Sequence, residues 1–281
     1  MKNKRIAAIH DISCFGKCSL TVALPLCSAA GIETAVIPTA VLSTHTAGFE
    51  GYTFRDLTDD ILPIAEHWKK NHIEFDAFYT GYMGNSRQIG IVLEAIKLLR
   101  TEEGKVICDP VMADNGKLYP GFDEKFPTEM LKLCKSADII VPNITEAALL
   151  LGEEYKEGPY TKEYIGSLVL KLYEETCANV VLTGVYFDEK RLGAACFDGN
   201  KISYIMNDRI DALFHGTGDV FGSILTAGVV TGRSLVSATE IAVKFTCDCI
   251  KGTLHGSGNK YGVDFEAQTP NLIRYLGNDY E

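Results

Sequence analysis

Short apolar, β-branched runs recur along the chain, each followed by a stretch whose apolar positions repeat at helical spacing. The runs at 5–12, 34–42, 76–83, 105–111, 138–142 and 179–185 predict strands, and the stretches at 19–30, 57–71, 86–101, 123–135, 145–152 and 162–177 predict helices. Strand and helix in alternation build parallel βαβ units, because a parallel neighbour can be reached only by a crossover. The pattern predicts a three-layer α/β/α sandwich with a mostly parallel central sheet. After residue 185 the rhythm changes: "RLGAACFDGNKISYIMNDRI" holds two alternating runs around Asp-Gly-Asn, which predicts a hairpin and an antiparallel edge. Two helices, at 218–232 and 234–254, complete the set. No linker, repeat or low-complexity tract interrupts residues 1–281, so one domain is expected. The polar, aromatic and glycine-rich stretch 43–56 follows a strand, where a loop flanking a site would lie.

Composition narrows the function. The 281 residues are 46% hydrophobic and 23% charged, an ordinary globular balance. A net charge of −10 and a pI near 5.2 argue against a nucleic-acid partner, which needs a concentrated basic surface. An anionic ligand must then be held by backbone amides, a metal ion or a few placed cations. No run reaches the 18 or so apolar residues of a membrane span, and the apolar start, Ile6 to Ile9, is too short for a secretory core. Nine scattered cysteines without zinc spacing suggest reduced thiols in a cytoplasmic protein.

In open α/β sheets ligands bind outside the carboxyl ends of the strands. Those ends carry Asp11, Ser43 to Thr46, Gly81, Tyr82, Asp109, Asn143 and Thr183. Each has a plainer alternative role, since Asp, Asn and Thr routinely cap helices. The most informative segment is "FHGTGDVFGS" at 214–223. Its glycine spacing misses the dinucleotide fingerprint by one residue, and the chain has no Walker-type phosphate loop. Gly216, Thr217 and Gly218 can converge their N–H groups at a helix start and hold an anion. Asp219 falls in the first turn of the almost uncharged helix that follows. An anion cradle beside a carboxylate suggests deprotonation of a nucleophile next to a stabilised phosphoryl group.

"GTGD" at 216–219 and Asn143-Ile144-Thr145-Glu146 together resemble the ribokinase superfamily of small-molecule kinases. Within it, "ICDPVMADNGKLY" (107–119), "YTGYMGN" (79–85) and "STHTAGFEG" (43–51) resemble the vitamin B6 kinases, in order along nearly the whole chain. The resemblance implies a ribokinase-like fold and ATP-dependent phosphorylation of the 5′-hydroxymethyl of pyridoxal, pyridoxine or pyridoxamine. It implies Mg²⁺, alone or with a monovalent cation, and a homodimer. Asp219 is then the general base, with Gly216, Thr217 and Gly218 as the anion hole for the γ-phosphoryl group. Asp109, Asp114, Asn143 and Glu146 surround metal and triphosphate, with Asp114 and Glu146 on the metal side. Thr183 lies near the phosphates, and Thr46 and Tyr82 against the pyridine ring. Capping remains the alternative for Asn143, Thr145 and Glu146, and core packing for Tyr82. Lys117 is as readily a solvated loop lysine as a phosphate ligand, and His45 an ordinary turn residue.

Where the B6 kinases carry serine at the end of the first strand, this chain has Asp11, or Ser13 if the alignment slips by two. A carboxylate there can pair with a pyridinium or aminomethyl cation, which tilts preference toward pyridoxamine. The rivals are a hydroxymethylpyrimidine kinase, a class that often has Cys in place of Asp219, and a non-catalytic B6-binding protein. No motif names the adenine contacts, expected around 203–213 and 244–256.

Overall fold

The computed structural model of the chain describes residues 4–46, 48–212, 214–256 and 261–277. β1 (Arg5–Ser13) is buried on both faces from Ile6 to Asp11, as a central parallel strand must be. It runs through α1 (Leu20–Ala29) into β2 (Glu33–Leu42), which it pairs in parallel. β3 (Phe54–Asp56) then adds antiparallel to β2, inside the stretch read from sequence as a loop. α2 (Thr58–Lys70) crosses back to β4 (Ala77–Thr80), on the other side of β1. α3 (Ser86–Leu99), β5 (Lys105–Cys108), α4 (Phe126–Lys135), β8 (Ile139–Ile140), α5 (Ile144–Leu150), α6 (Lys162–Thr176) and β9 (Asn179–Asp188) extend the sheet outward. Between β5 and α4 lies a small hairpin, β6 (Ala113–Asp114) with β7 (Lys117–Leu118). β10 (Arg191–Phe197) and β11 (Ile202–Asp208) close that side antiparallel, followed by α7 (Thr217–Val230), α8 (Leu235–His255) and α9 (Thr269–Tyr275).

The nine strands run β11-β10-β9-β8-β5-β4-β1-β2-β3, parallel from β9 to β2 and antiparallel at both edges. Alternation along each strand divides the core. Ala7, Phe78, Val106 and Val180 face α2 to α6, while their neighbours Ile6, Tyr79, Ile107 and Val181 face α1, α7, α8 and α9. These are the three layers. α7 is buried from Val220 to Val230 without interruption, as expected of a helix apolar on every side.

Strand order reverses beside β1, whose successor β2 lies on one side and β4 on the other. The carboxyl ends of β1, β4 and β5 therefore meet at the switch point where such sheets bind ligands. Several strands end earlier than their apolar runs. β5 stops at Cys108 because Asp109 is followed by Pro110, which has no N–H for the ladder. β4 stops at Thr80, and at Gly81 a Cβ would stand 2.2 Å from His10 Nδ1, so the neighbouring strand leaves no room for a side chain. β9 runs on to Asp188 because β10 folds back and pairs its extension.

Candidate active site

α7 begins at the switch point with Gly216 at its N-cap, φ 77°. A Cβ on Gly216 would stand 1.8 Å from the carbonyl oxygen of Lys17, so only glycine satisfies both the left-handed backbone and the contact. Thr217 and Gly218 follow in the first turn, and a Cβ on Gly218 would meet nothing within 4 Å. Asp219, half-buried, receives the backbone N–H of Ser19. Burial raises its pKa to about 7; the Ser19 N–H opposes the rise and the nearby Asp11 adds to it.

Asp11 lies at the end of β1 and is 4% exposed. It accepts hydrogen bonds from the hydroxyls of Ser13, at 2.9 Å, and of Ser19. Burial raises its pKa against those two donors. Tyr82, just beyond β4, has its hydroxyl pushed up to about 12 by burial and then by Asp11, and its ring lies 5.6 Å from Phe122. Thr46 is exposed. His45 is buried between Phe49, at 5.0 Å, and His215, at 4.9 Å between ring centroids.

Asp109, after β5, is 8% exposed; burial and then the charges of Glu146 and Asp219 hold it well above the usual carboxylate range. Asn143 and Glu146 form a reciprocal capping box at α5. The Asn143 side chain accepts from Glu146 N–H at 2.9 Å and donates to Ala113 O at 2.8 Å. Glu146 accepts from the backbone N–H of Asn143 at 2.9 Å and of Met112 at 3.1 Å. The capping alternative for both residues is thus realised, which leaves further lone pairs on Glu146 for a ligand. Burial raises Glu146 to about 8, although these N–H groups oppose it. Thr183 bridges to Asn143 across the sheet end. Asp114 is exposed in the β6–β7 turn, where it accepts from Asn115 N–H and Nδ2–H, and its charge raises Glu146. Lys117, exposed on β7, stands opposite Asp114.

Four carboxyl groups, Asp11, Asp219, Asp109 and Glu146, thus gather at the switch point. Tyr119 was not foreseen: burial and then the charges of Glu146, Asp114, Asp109 and Asp219 push its hydroxyl up. Ser19, with φ 54° and no cap bond of its own, serves both Asp11 and Asp219. Tyr79 was missed too; its hydroxyl is fully buried where a Cβ on Gly222 would come within 2.3 Å of it and 3.4 Å of Asp109 Oδ2.

Residues 25–263 match the family model described as phosphomethylpyrimidine kinase. The chain belongs to that family. A solved member, a putative phosphomethylpyrimidine kinase from Bacteroides thetaiotaomicron crystallised with pyridoxal, is 38% identical with a TM-score of 0.91, covering 96% of both chains. A pyridoxal kinase from Lactobacillus plantarum is 26% identical with a TM-score of 0.89 and full coverage of both chains. The hydroxymethylpyrimidine/phosphomethylpyrimidine kinase of Bacillus subtilis is 30% identical over 229 residues, 80% of each chain. This member of the family is a kinase, a phosphotransferase with an alcohol acceptor, of the ribokinase superfamily. Among its described residues no helix is long and apolar enough to cross a membrane.

The buried carboxyls of this kinase set a pH dependence of stability. Glu146 titrates near 8 in the folded chain against 4.5 ordinarily, so the unfolded chain ionises first. Its contribution is full below about 4.5 and is lost as pH rises through 8. Melting curves between pH 5 and pH 8 should show Tm falling, and Glu146→Gln should flatten the slope. A slope equal in both proteins would place the titrating group elsewhere.

Proposed function

We propose that this kinase transfers the γ-phosphoryl group of ATP to the 5′-hydroxymethyl of a vitamin B6 vitamer, with Asp219 as general base. The observation that carries this reading is the Asp219 carboxylate, in the first turn of a buried helix that opens on a left-handed glycine, with burial lifting its pKa to about 7. A base poised at that value is ionised in a large share of molecules near neutral pH and still takes a proton from an alcohol as it attacks. The N–H groups of residues 216–218, at the positive end of the α7 dipole, favour the charge on the transferred phosphoryl oxygens. The pyridoxal held by the 38% identical Bacteroides relative supports a pyridine acceptor.

Asp109 and Glu146 fit a Mg²⁺ ion: they are hard oxygen donors, both buried, and after burial it is the charge of Glu146 that raises Asp109, so the two carboxyls lie close together. Among the described residues no three or more His, Cys, Asp or Glu converge as a metal cluster, so these two would hold the ion together with water and phosphate. When bound, the ion neutralises triphosphate charge. Asp114, at the exposed turn, contributes through water, and Asn143 and Thr183 line the phosphate side. Thr46, Tyr82 and Asp11 line the acceptor. A cytoplasmic homodimer built from one kinase domain completes the proposal.

The family description and the Bacillus relative make hydroxymethylpyrimidine the second acceptor to assay. The measurement is kcat/KM for pyridoxal, pyridoxine, pyridoxamine and hydroxymethylpyrimidine with ATP. Turnover of hydroxymethylpyrimidine alone would replace the B6 reading, and ATP-independent binding without turnover would make the protein a carrier. Asp11 adds a second expectation. A hydrogen bond to a charged group contributes ~1.5–3 kcal/mol, so pyridoxamine should be preferred to pyridoxal by roughly tenfold or more. Asp11→Asn should bring the ratio near unity, and a ratio unchanged by the substitution removes Asp11 from recognition.

A further inference from the structure

The loop between β1 and α1 carries a lysine that phosphoryl transfer as described above does not use. Lys17 Nζ lies 2.6 Å from Asp264 Oδ1 and 2.8 Å from Glu266 Oε2, with its side chain only 21% exposed. The same ammonium stands 5.7 Å from the centre of the Phe265 ring. Its backbone N–H donates to Tyr261 O at 2.9 Å, and a Cβ on Gly262 would come within 2.6 Å of Lys17 Cβ. An ion pair, a ring contact, a main-chain hydrogen bond and close packing therefore tie this one residue to the segment 261–266.

The opposite side of Lys17 faces the cradle. Its carbonyl oxygen occupies the space a side chain on Gly216 would need. Two positions on, Ser19 donates its N–H to Asp219 and its hydroxyl to Asp11. Two positions back, Phe15 packs edge-on against Tyr261 at 5.2 Å, and Tyr261 stacks on Phe49 at 5.2 Å. A displacement of Lys17 thus reaches Gly216 by direct contact and Asp219 through Ser19.

We propose that Lys17 is a positioning residue for the reaction: its ammonium, clasped by Asp264 and Glu266, holds the 14–19 loop against Gly216 so that cradle and base keep one geometry. This rests on the reading of residues 216–218 as the anion cradle. An exposed ion pair contributes little, but this cation is shared by two carboxylates and is largely shielded. Catalytic donors must be held closely, and a misplacement of about 1 Å can lower turnover ~10²-fold.

The test is steady-state kinetics with Tm measured alongside. Lys17→Met should lower kcat about 10–100-fold and raise the acceptor KM by less than that, because the loop meets Gly216 directly and reaches Asp11, on the acceptor side, only through the Ser19 hydroxyl. Lys17→Arg should recover kcat to within about threefold, since a guanidinium fork can meet both carboxylates. The pair Asp264→Asn with Glu266→Gln should reproduce the loss, and combining it with Lys17→Met should add nothing further, the mark of a single unit. Lys171→Met, which breaks the remote pair with Glu153, should leave kcat unchanged. A kcat within threefold of wild type in Lys17→Met, losses that multiply in the combined variant, or no recovery with Arg would each overturn the clasp. If Lys17→Met does not fold, the Asp264 and Glu266 pair is judged by the same thresholds. Should Asp219→Asn and Gly216→Ala be inactive while Lys17→Met is normal, the clasp falls and the cradle stands; normal activity in those two removes the cradle itself.

Discussion

Asp219→Asn lowers kcat by ~10²–10⁴-fold, the usual contribution of a positioned general base, while the KM for ATP stays within about threefold. Asn keeps the shape of the side chain and an oxygen to accept the Ser19 N–H, so the start of α7 is retained. What it loses is the ability to take a proton. The wild-type kcat/KM should rise with pH through a midpoint near 7, the value to which burial lifts the carboxyl, and this limb should be missing from the residual activity of the variant. Stability moves in the opposite sense. With a folded pKa of about 7 against 3.8 ordinarily, Asp219 stabilises fully below about 3.8 and loses that contribution as pH rises through 7. At pH 8 the Asn variant should therefore melt no lower than wild type. An inactive variant that is equally stable separates chemistry from folding; near-normal kcat would leave Asp219 as a helix-end carboxylate and nothing more. Asp11→Asn provides a linked check, because removing its charge should move the wild-type limb to lower pH.

The layers and the parallel sheet were legible because they depend on apolar period, which a single sequence displays directly. β1, β2 and β9 are mostly apolar runs rich in Ile, Val and Ala, and the DGN turn marks the antiparallel edge in the sequence itself. The elements not foreseen lack such a signal. β3 has three residues, all exposed, and owes its existence to the free edge of β2. β6 and β7 pair over two residues each, although Asn115 and Gly116, at φ 50° and 76°, are the "NG" turn that could have announced them.

The site was legible where strand ends carry an unusual residue. Asp11, Asp109 and Asp219 are far apart in sequence, and the switch point collects them because strand order reverses beside β1. Ser19 shows the limit. A serine before an apolar run signals an N-cap, yet its φ of 54° turns the hydroxyl to Asp11 and the N–H to Asp219, leaving the cap bond unmade. A strained backbone at a site can be seen only once the partners that hold it are in place. Tyr79 and Tyr119 were invisible for a related reason: a tyrosine in a strand or loop reads as core until its hydroxyl is found among carboxylates.

Gly216→Ala tests the cradle without touching a titrating group. At φ 77° an L-residue costs roughly 1–2 kcal/mol more than glycine. The added Cβ also meets the Lys17 carbonyl at 1.8 Å, and a backbone oxygen cannot swing away as a flexible side chain would. Either the 14–19 loop or the start of α7 must move, and both carry groups that hold Asp219. Loss of a single oxyanion donor lowers kcat by ~10²–10³-fold, and a shift of the turn would take more than one donor out of line, so a fall of that size or greater is expected. Tm should drop as well, by about 2–4 °C for each kcal/mol lost. Gly218→Ala is the comparison for stability. Its φ is not positive and its Cβ would enter open space, so the substitution in a helical turn should leave Tm level or slightly raised. Equal loss of Tm at both positions would mean that the turn is merely fragile. A kcat for Gly216→Ala within about threefold of wild type would mean that phosphoryl charge is stabilised somewhere other than the start of α7, since no donor of the ~10²-fold kind would then have been displaced.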